Sequence, residues 1–180
     1  MKKNFNTKYI YLLSGAMGLL LSQVGYAEGS AKLTDPQIAA IVVTANSVDV
    51  TAGQLATKST KNKEVKKFAE QMVNDHTSVN KSAVELVTKL NVKPEENDTS
   101  RGLQKGGDEN IANLKKLKGK AFDKAYVDQE VAYHETVLGA IDTALIPSAT
   151  NTELKALLEK VRPAIAAHLE HAKHIQSTLK

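Results

Sequence analysis

Residues 91–119, NVKPEENDTSRGLQKGGDENIANLKKLKG, are the stretch that decides the fold of this chain. They contain Pro94 and four glycines, and they separate long segments whose apolar residues recur at helical spacing. Four apolar residues within the stretch are spaced as on one side of a helix: Leu103, Ile111, Leu114 and Leu117. We therefore predict a shorter helix here, broken or bent near Gly106 and Gly107.

Four long helices are predicted outside this stretch, and no segment shows the sustained alternation that a half-buried strand needs. Three breaks separate these helices: residues 59–62, 91–119 and 147–151. Thr34 with Gln37 has capping-box spacing at the start of the first helix, and Thr150 with Glu153 has the same spacing before the last one. Pro163 should kink the last helix.

The unequal connections predict the topology. The second helix is about 42 Å long, and a partly helical connection of 29 residues can return along that distance. A single long crossover between helices two and three is typical of ferritin-like four-helix bundles. We therefore predict an all-α, ferritin-like bundle. A simple up-down-up-down bundle with an elaborated loop is the alternative, because loop length alone does not fix topology.

Residues 1–27 have the three parts of an export signal. A basic start and an apolar stretch at 9–21 precede the small residues Gly25 and Ala27, so cleavage is predicted after Ala27. The apolar stretch has 13 residues, whereas a membrane-spanning helix needs about 20. An uncleaved anchor is the alternative, since it would use the same apolar stretch.

The chain that remains after cleavage is close to neutral. Three of the 24 basic residues and none of the 20 acidic ones lie in residues 1–27, which leaves 21 against 20 and a net charge of +1. A near-neutral chain without a basic patch gives no support for a nucleic-acid partner. The absence of cysteine excludes thiol catalysis, cysteine-ligated zinc and a lipid anchor on cysteine.

These observations divide the chain into a signal peptide at 1–27, a short linker at 28–33 and a helical-bundle domain at 34–180. We predict a periplasmic protein with no transmembrane segment after signal removal. The sequence does not support association with the outer membrane, because it has neither barrel strands nor a lipid anchor.

Three histidines lie on the predicted apolar stripes of three different helices: His76, His134 and His168. Asp49 lies at the edge of the first stripe, and Glu130 precedes His134 by one turn. Distances counted from the nearest turns place the histidines and Asp49 near mid-bundle, within about 10 Å along the axis. Neutral imidazoles around a carboxylate suit a single Fe, Zn, Cu, Ni or Mn ion. These five residues are the predicted metal site.

The alternative for these histidines is a hydrogen-bonded polar layer within the core, and a third interpretation leaves them half-exposed without a role. A di-iron centre of the Glu-x-x-His type is not encoded, because Val73, Val131 and Ile165 stand three residues before the histidines. We expect His171 and His174 on a solvated flank of the last helix.

Several segments resemble a bacterial family of exported proteins of unknown function: Phe68–Thr77 (FAEQMVNDHT), Ala121–Val127 (AFDKAYV), and Arg162–Ala164 (RPA) with His168–Ala172 (HLEHA). Members of this family have a ferritin-like four-helix fold and are often labelled predicted outer-membrane proteins. The resemblance implies a bacterial source, a place in the cell envelope and the crossover topology. It assigns no catalytic residue.

Three functional hypotheses follow. The first is a bundle without established catalysis that binds a ligand or a metal, or that acts as an envelope stress protein. The second is a redox enzyme with a mononuclear metal site at the inward-facing histidines. The third is an assembly module that pairs with itself or with an envelope protein through an exposed helix face.

Overall fold

The computed structural model describes residues 32–179, so the predicted signal peptide and most of the linker lie outside the described residues. Every regular element in this part of the chain is helical, which confirms the all-α fold. The elements are α1 (Asp35–Ser59), α2 (Lys63–Lys89), α3 (Asp98–Leu114), α4 (Gly119–Ala140), a π-helical segment (Ile141–Leu145), α5 (Ile146–Ser148) and α6 (Thr152–Thr178).

Helices α1, α2, α4 and α6 form the bundle, and α3 is the crossover. α1 packs along α2 and α4 along α6, while α1 with α4 and α2 with α6 complete the ring. The Glu95 amide donates to the carbonyl of Pro36 at one end of the bundle, and Leu114 packs with Val65 and Phe122 at the other. Helix α3 therefore runs the length of α1, and α2 and α4 point the same way. This arrangement confirms the predicted crossover and excludes the up-down-up-down alternative.

The start of α1 confirms the first capping box. The Thr34 hydroxyl accepts from the amide of Gln37, and the Gln37 side chain accepts from the amide of Thr34. The predicted pair Thr150 and Glu153 is wrong: Asn151 caps α6, and its side chain accepts from the amide of Glu153 at 2.9 Å. Thr150 is unavailable for capping because its amide and hydroxyl both donate to Asp35.

Of the predicted break or bend near Gly106 and Gly107, the break is wrong, since α3 is continuous through both residues. Gly107 is buried against α1, and a Cβ atom there would lie 2.7 Å from Cγ1 of Val48. A Cβ at Gly106 would meet nothing within 4 Å. Gly107 therefore permits a close helix crossing and does not interrupt the helix.

The third long helix begins at Gly119 and changes to π geometry at Ile141–Leu145, which the sequence pattern does not predict. Pro147 lies inside the short α5 and not in the turn. Pro163 lies inside α6, which continues as a helix on both sides of it.

The apolar core consists of two clusters separated by a polar layer. One cluster surrounds Phe68 and Tyr126, and the other surrounds Ile38 and Leu158. α1 is long and apolar enough to cross a membrane, but 61% of its most apolar window is buried within the bundle, and core helices of soluble proteins pass the same test.

Candidate metal centre

The polar layer between the two apolar clusters contains all five residues that the sequence predicts for a metal site. α1 supplies Asp49, α2 supplies His76, α4 supplies Glu130 and His134, and α6 supplies His168. Each of the five is buried, with at most 4% of its surface exposed. The predicted side chains therefore converge inside the bundle, at the depth at which the counted distances place them.

The three imidazole rings form a nearly equilateral triangle. The ring centroids of His76 and His134 lie 5.6 Å apart, those of His76 and His168 lie 5.3 Å apart, and those of His134 and His168 lie 5.5 Å apart. One ring nitrogen of each histidine lies within 4.8 Å of one nitrogen of each of the others. Ring nitrogens at this spacing can share a single ion.

Two of the histidines donate one N–H group outward to an oxygen that can only accept. Nδ1 of His134 lies 2.9 Å from the backbone carbonyl oxygen of Glu130, and Nε2 of His168 lies 2.9 Å from Oδ2 of Asp75. A carbonyl and a carboxylate are acceptors, so these two nitrogens carry the ring protons. In the neutral rings, Nε2 of His134 and Nδ1 of His168 therefore carry no proton, and each has a free lone pair.

His76 is fixed in the same way by an amide. Its Nδ1 lies 2.7 Å from Oδ1 of Asn46, whose Nδ2 donates to the carbonyl of Val42 at 2.7 Å. Because the amide nitrogen is engaged with a carbonyl, Oδ1 accepts and Nδ1 of His76 donates. Because the ring proton is on Nδ1, Nε2 of His76 has the third free lone pair.

These three lone-pair nitrogens are buried and have no hydrogen-bond partner among the described residues. Asp49 lies closest to them: its Oδ2 is 3.2 Å from Nε2 of His76 and 3.5 Å from Nε2 of His134. Both carboxylate oxygens of Asp49 also lack a partner. Buried polar atoms are normally paired, so this cluster of unpaired ones requires an explanation.

Burial favours the neutral forms of Asp49 and the three histidines. It raises the pKa of Asp49 to about 8. It lowers the pKa of His76 to about 3 and that of His134 to about 4, and neighbouring histidines lower both further. Burial also lowers the pKa of His168, against the opposing effect of Asp75. Neutral imidazoles are the form that binds metals.

The single proton of Asp49 cannot provide a hydrogen bond to all three imidazole lone pairs. A protonated Asp49 can donate to one of the two Nε2 atoms near it, which leaves two imidazole lone pairs without a donor. A cation bound to these imidazole nitrogens would take lone pairs that Asp49 leaves without a donor, and a cation that also bound Asp49 would displace its proton. The donor set, three imidazole nitrogens and one carboxylate, therefore fits a transition-metal ion.

Glu130 occupies a different position from the other four residues. Its Oε2 lies 3.5 Å from Nδ1 of His134, the nitrogen that carries the ring proton. Burial raises the pKa of Glu130 well above its usual range, and the nearby Asp49 raises it further. Glu130 thus lies next to the protonated nitrogen of His134. One ligand atom from each of Asp49, Glu130 and His134 lies within 4.8 Å of the other two, so Glu130 is also a candidate ligand.

Sequence reasoning missed two residues of the layer, and its expectation of a solvated flank for His171 and His174 is confirmed for His174 alone. Asn46 and Asp75 hold the rings of His76 and His168, and the signal for Asp75 was only its position beside His76. His171 and His174 lie outside the layer, His171 with its edge against Phe68 and His174 exposed to solvent.

The fold and the site define a helical-bundle protein with a buried cluster of three histidines and a carboxyl group. Residues 22–175 match the family model of DUF4142, a domain of unknown function, and the chain belongs to this family. A solved structure of a DUF305 protein from Streptomyces coelicolor, described as a candidate secreted protein, is similar. It has 12% identity and a TM-score of 0.68 over 79% of this chain and 91% of that one, which shows a shared helical fold alone. No curated protein sequence matches the chain.

Proposed function

We propose that this protein is exported and binds one transition-metal ion through His76, His134, His168 and Asp49. The observation that carries the proposal is the set of three buried imidazole lone pairs without a partner. Each ring also donates its N–H group to an outer acceptor, the arrangement that orients histidine ligands in metal sites.

The chemistry of the donors narrows the range of metals. Imidazole nitrogen and carboxylate oxygen suit Zn, Fe, Cu, Ni and Mn, whereas Ca and Mg prefer oxygen ligands alone. The chain has no cysteine, so no thiolate selects for a softer metal. We propose a single ion and leave its identity to metal analysis.

Export is proposed from the amino-terminal sequence. Residues 1–27 have the basic, apolar and small-residue parts of a signal, and the structurally similar Streptomyces coelicolor protein is described as a candidate secreted protein. We propose cleavage after Ala27 and a periplasmic location. Intact mass of the protein recovered from an osmotic-shock fraction tests both, and a cytoplasmic chain that retains residues 1–27 would contradict them.

Metal analysis of the protein tests the binding proposal. The full-length chain is expressed without a His tag in cultures supplied separately with Fe, Mn, Zn, Cu or Ni, and metal per protein is measured by elemental mass spectrometry. We expect one ion per chain with at least one of these metals. The double variant His76→Ala/His134→Ala should lose it.

The matched control is His171→Ala/His174→Ala, which removes two histidines that lie outside the layer. We expect this variant to retain its metal. If no culture yields metal above background while the helical content is normal, the proposal fails. The polar layer would then be a hydrogen-bonded network completed by water.

A mononuclear redox enzyme is the second candidate, and it is favoured by a cavity that borders His76 and His134. Such an enzyme needs a bound ion that changes oxidation state. Absorption spectra of the Fe-, Mn- and Cu-loaded protein under ascorbate and ferricyanide test this requirement. If none of these forms cycles, the second candidate fails while the binding proposal stands.

A further inference from the structure

An apolar cavity of about 160 Å³ lies between α1, α3, α6 and the segment from α4 through the π turn. Apolar side chains make up most of its wall, among them Ile41, Val137, Leu157, Val161 and Ile165. At one end the cavity reaches the rings of His76 and His134. Its exposed lining residues are Thr99 and Thr136, which mark its path to solvent.

Between the end at His76 and His134 and the exposed threonines, the polar groups in the wall offer little to water. The Tyr133 hydroxyl donates to the carbonyl of Ala45 at 2.9 Å, and the Asn46 amide is engaged on both sides by Val42 and His76. A buried water needs two to four polar partners, and apolar cavities of this size stay dry. The occupant that gains most from this space is therefore apolar.

The π-helical segment is a second observation that points to a ligand. Ile141, Ala144 and Leu145 belong to this segment, and all three line the cavity. A π turn inserts a residue into a helix at the cost of poorer hydrogen-bond geometry, and such turns are frequent at functional sites. Here the π turn forms part of the cavity wall.

We propose that this cavity binds one small, neutral, apolar molecule of about the size of a benzene ring. A cavity of about 150 Å³ lined by Leu, Ile and Phe in another protein binds benzene or xenon, so the volume here is sufficient. The bound molecule lies against the rings of His76 and His134. The site consists of protein side chains alone and does not require the metal proposed above.

Benzene titration of the purified protein tests the proposal. Spectra of methyl-labelled protein, prepared both as isolated and after chelator treatment, are followed during the titration. We expect saturable shifts at the methyl groups of Ala144, Leu157 and Val161, with one site and a Kd of about 1 mM. No saturable shift up to the solubility limit of benzene would overturn the proposal.

A matched pair of substitutions locates the site. Ala144→Leu fills part of the cavity, and we expect it to weaken benzene binding at least tenfold. Ala132→Leu adds the same side chain at an exposed position of α4 outside the cavity and should leave binding unchanged. Equal binding by both variants would place benzene elsewhere and refute the site.

Crystals of the wild-type protein under xenon pressure provide a test that needs no substitution, so it does not depend on whether a variant folds. We expect one xenon atom between Val137 and Leu157. Diffraction data without a xenon peak in the cavity would contradict the proposal. Because neither experiment measures metal content, failure here is distinguishable from failure of the metal proposal.

Discussion

Asp49 is an acidic residue that is almost completely shielded from water. It is buried in the core, and the groups that face it are His76 from α2 and His134 and Glu130 from α4. With its pKa raised to about 8, it holds a proton at neutral pH that an ordinary carboxyl group has released. Both the pH dependence of stability and the proton balance of metal binding therefore centre on this side chain.

The first prediction concerns the pH dependence of stability. In the chelator-treated protein, Asp49 holds its proton when folded and releases it on unfolding, so its contribution to stability falls as pH rises towards about 8. Below about pH 6.5 the histidines have the opposite effect on stability. There the unfolded chain binds protons at these histidines, whereas the buried rings of the folded protein stay neutral, so stability rises with pH. The net loss therefore appears between about pH 6.5 and pH 8.

Asp49→Asn should make this slope shallower by about 1.4 kcal/mol per pH unit, as measured by urea unfolding at a series of pH values. The residual slope belongs to Glu130, whose pKa is also raised by burial. Asp108→Asn, an exposed acid on α3, is the matched control and should leave the slope unchanged. Parallel curves for Asp49→Asn and wild type would refute the raised pKa of Asp49.

The second prediction concerns proton release. At pH 7 a metal that binds Asp49 displaces about one proton, while the neutral imidazoles release none. Calorimetric titration in buffers of different ionisation enthalpy measures this number. Asp49→Asn should reduce it to near zero, and an unchanged number would show that the proton comes from another group.

The third prediction concerns Asp75, which accepts the Nε2 proton of His168 at 2.9 Å. Its loss frees the ring to rotate, so Asp75→Ala should weaken metal affinity by about 10- to 100-fold, as measured by competition with a chelator. Glu70→Ala removes an exposed acid from the same helix and should have no effect. Equal affinities of the two variants would exclude a positioning role for Asp75.

Among the elements, α3 shows how a crossover helix is attached to the bundle. Its close contact with α1 depends on Gly107, which lies against Val48. The chain enters this helix through hydrogen bonds to α1, where the Asn97 side chain donates to the carbonyl of Gln37. The crossover is therefore packed as a fifth long helix, and its glycines have unequal roles.

The fourth prediction follows from that inequality. Gly107→Ala forces a Cβ atom against Val48 and should lower the free energy of unfolding by about 1–3 kcal/mol, as overpacking does. Gly106→Ala meets open space within the same helix and should raise it by about 0.5–1 kcal/mol, because alanine favours helix. Urea unfolding measures both values. Opposite signs are expected, and equal effects would exclude the close crossing.

On the scale of the whole molecule, the polar layer lies between two apolar clusters and includes side chains from α1, α2, α4 and α6. Each of the four proposed ligands comes from a different helix. A ligand that binds only the folded state stabilises it by about 2.7 kcal/mol at a free concentration of 100 times its Kd. Metal binding should therefore be visible in global unfolding.

The fifth prediction is a rise in Tm of several degrees when metal is added to the chelator-treated protein. Differential scanning calorimetry at fixed protein concentration measures it. His76→Ala/His134→Ala should show no rise, whereas His171→Ala/His174→Ala should respond as wild type. An equal rise in all three proteins would indicate binding at the surface and not in the layer.

Much of the fold and most of the buried layer could be predicted because both follow from helical periodicity. His76, His134 and His168 each stand where a leucine would pack, and residue counts were enough to place them at one depth. Asn46 and Asp75 could not be assigned because their roles depend on which neighbouring helix faces them. Gly107 was misinterpreted because a glycine required by Val48 has the same sequence signal as one that ends a helix.

Each of the four proposed ligands comes from a different helix, and this arrangement should also limit the rate at which the metal exchanges. An ion held in this way links distant parts of the chain, as a disulfide would, in a protein that has no cysteine. It leaves only when at least one helix swings away from the layer. Dissociation should therefore keep pace with transient opening of the bundle, on the timescale of amide hydrogen exchange in the core, and not with the much faster ligand substitution of the free ion.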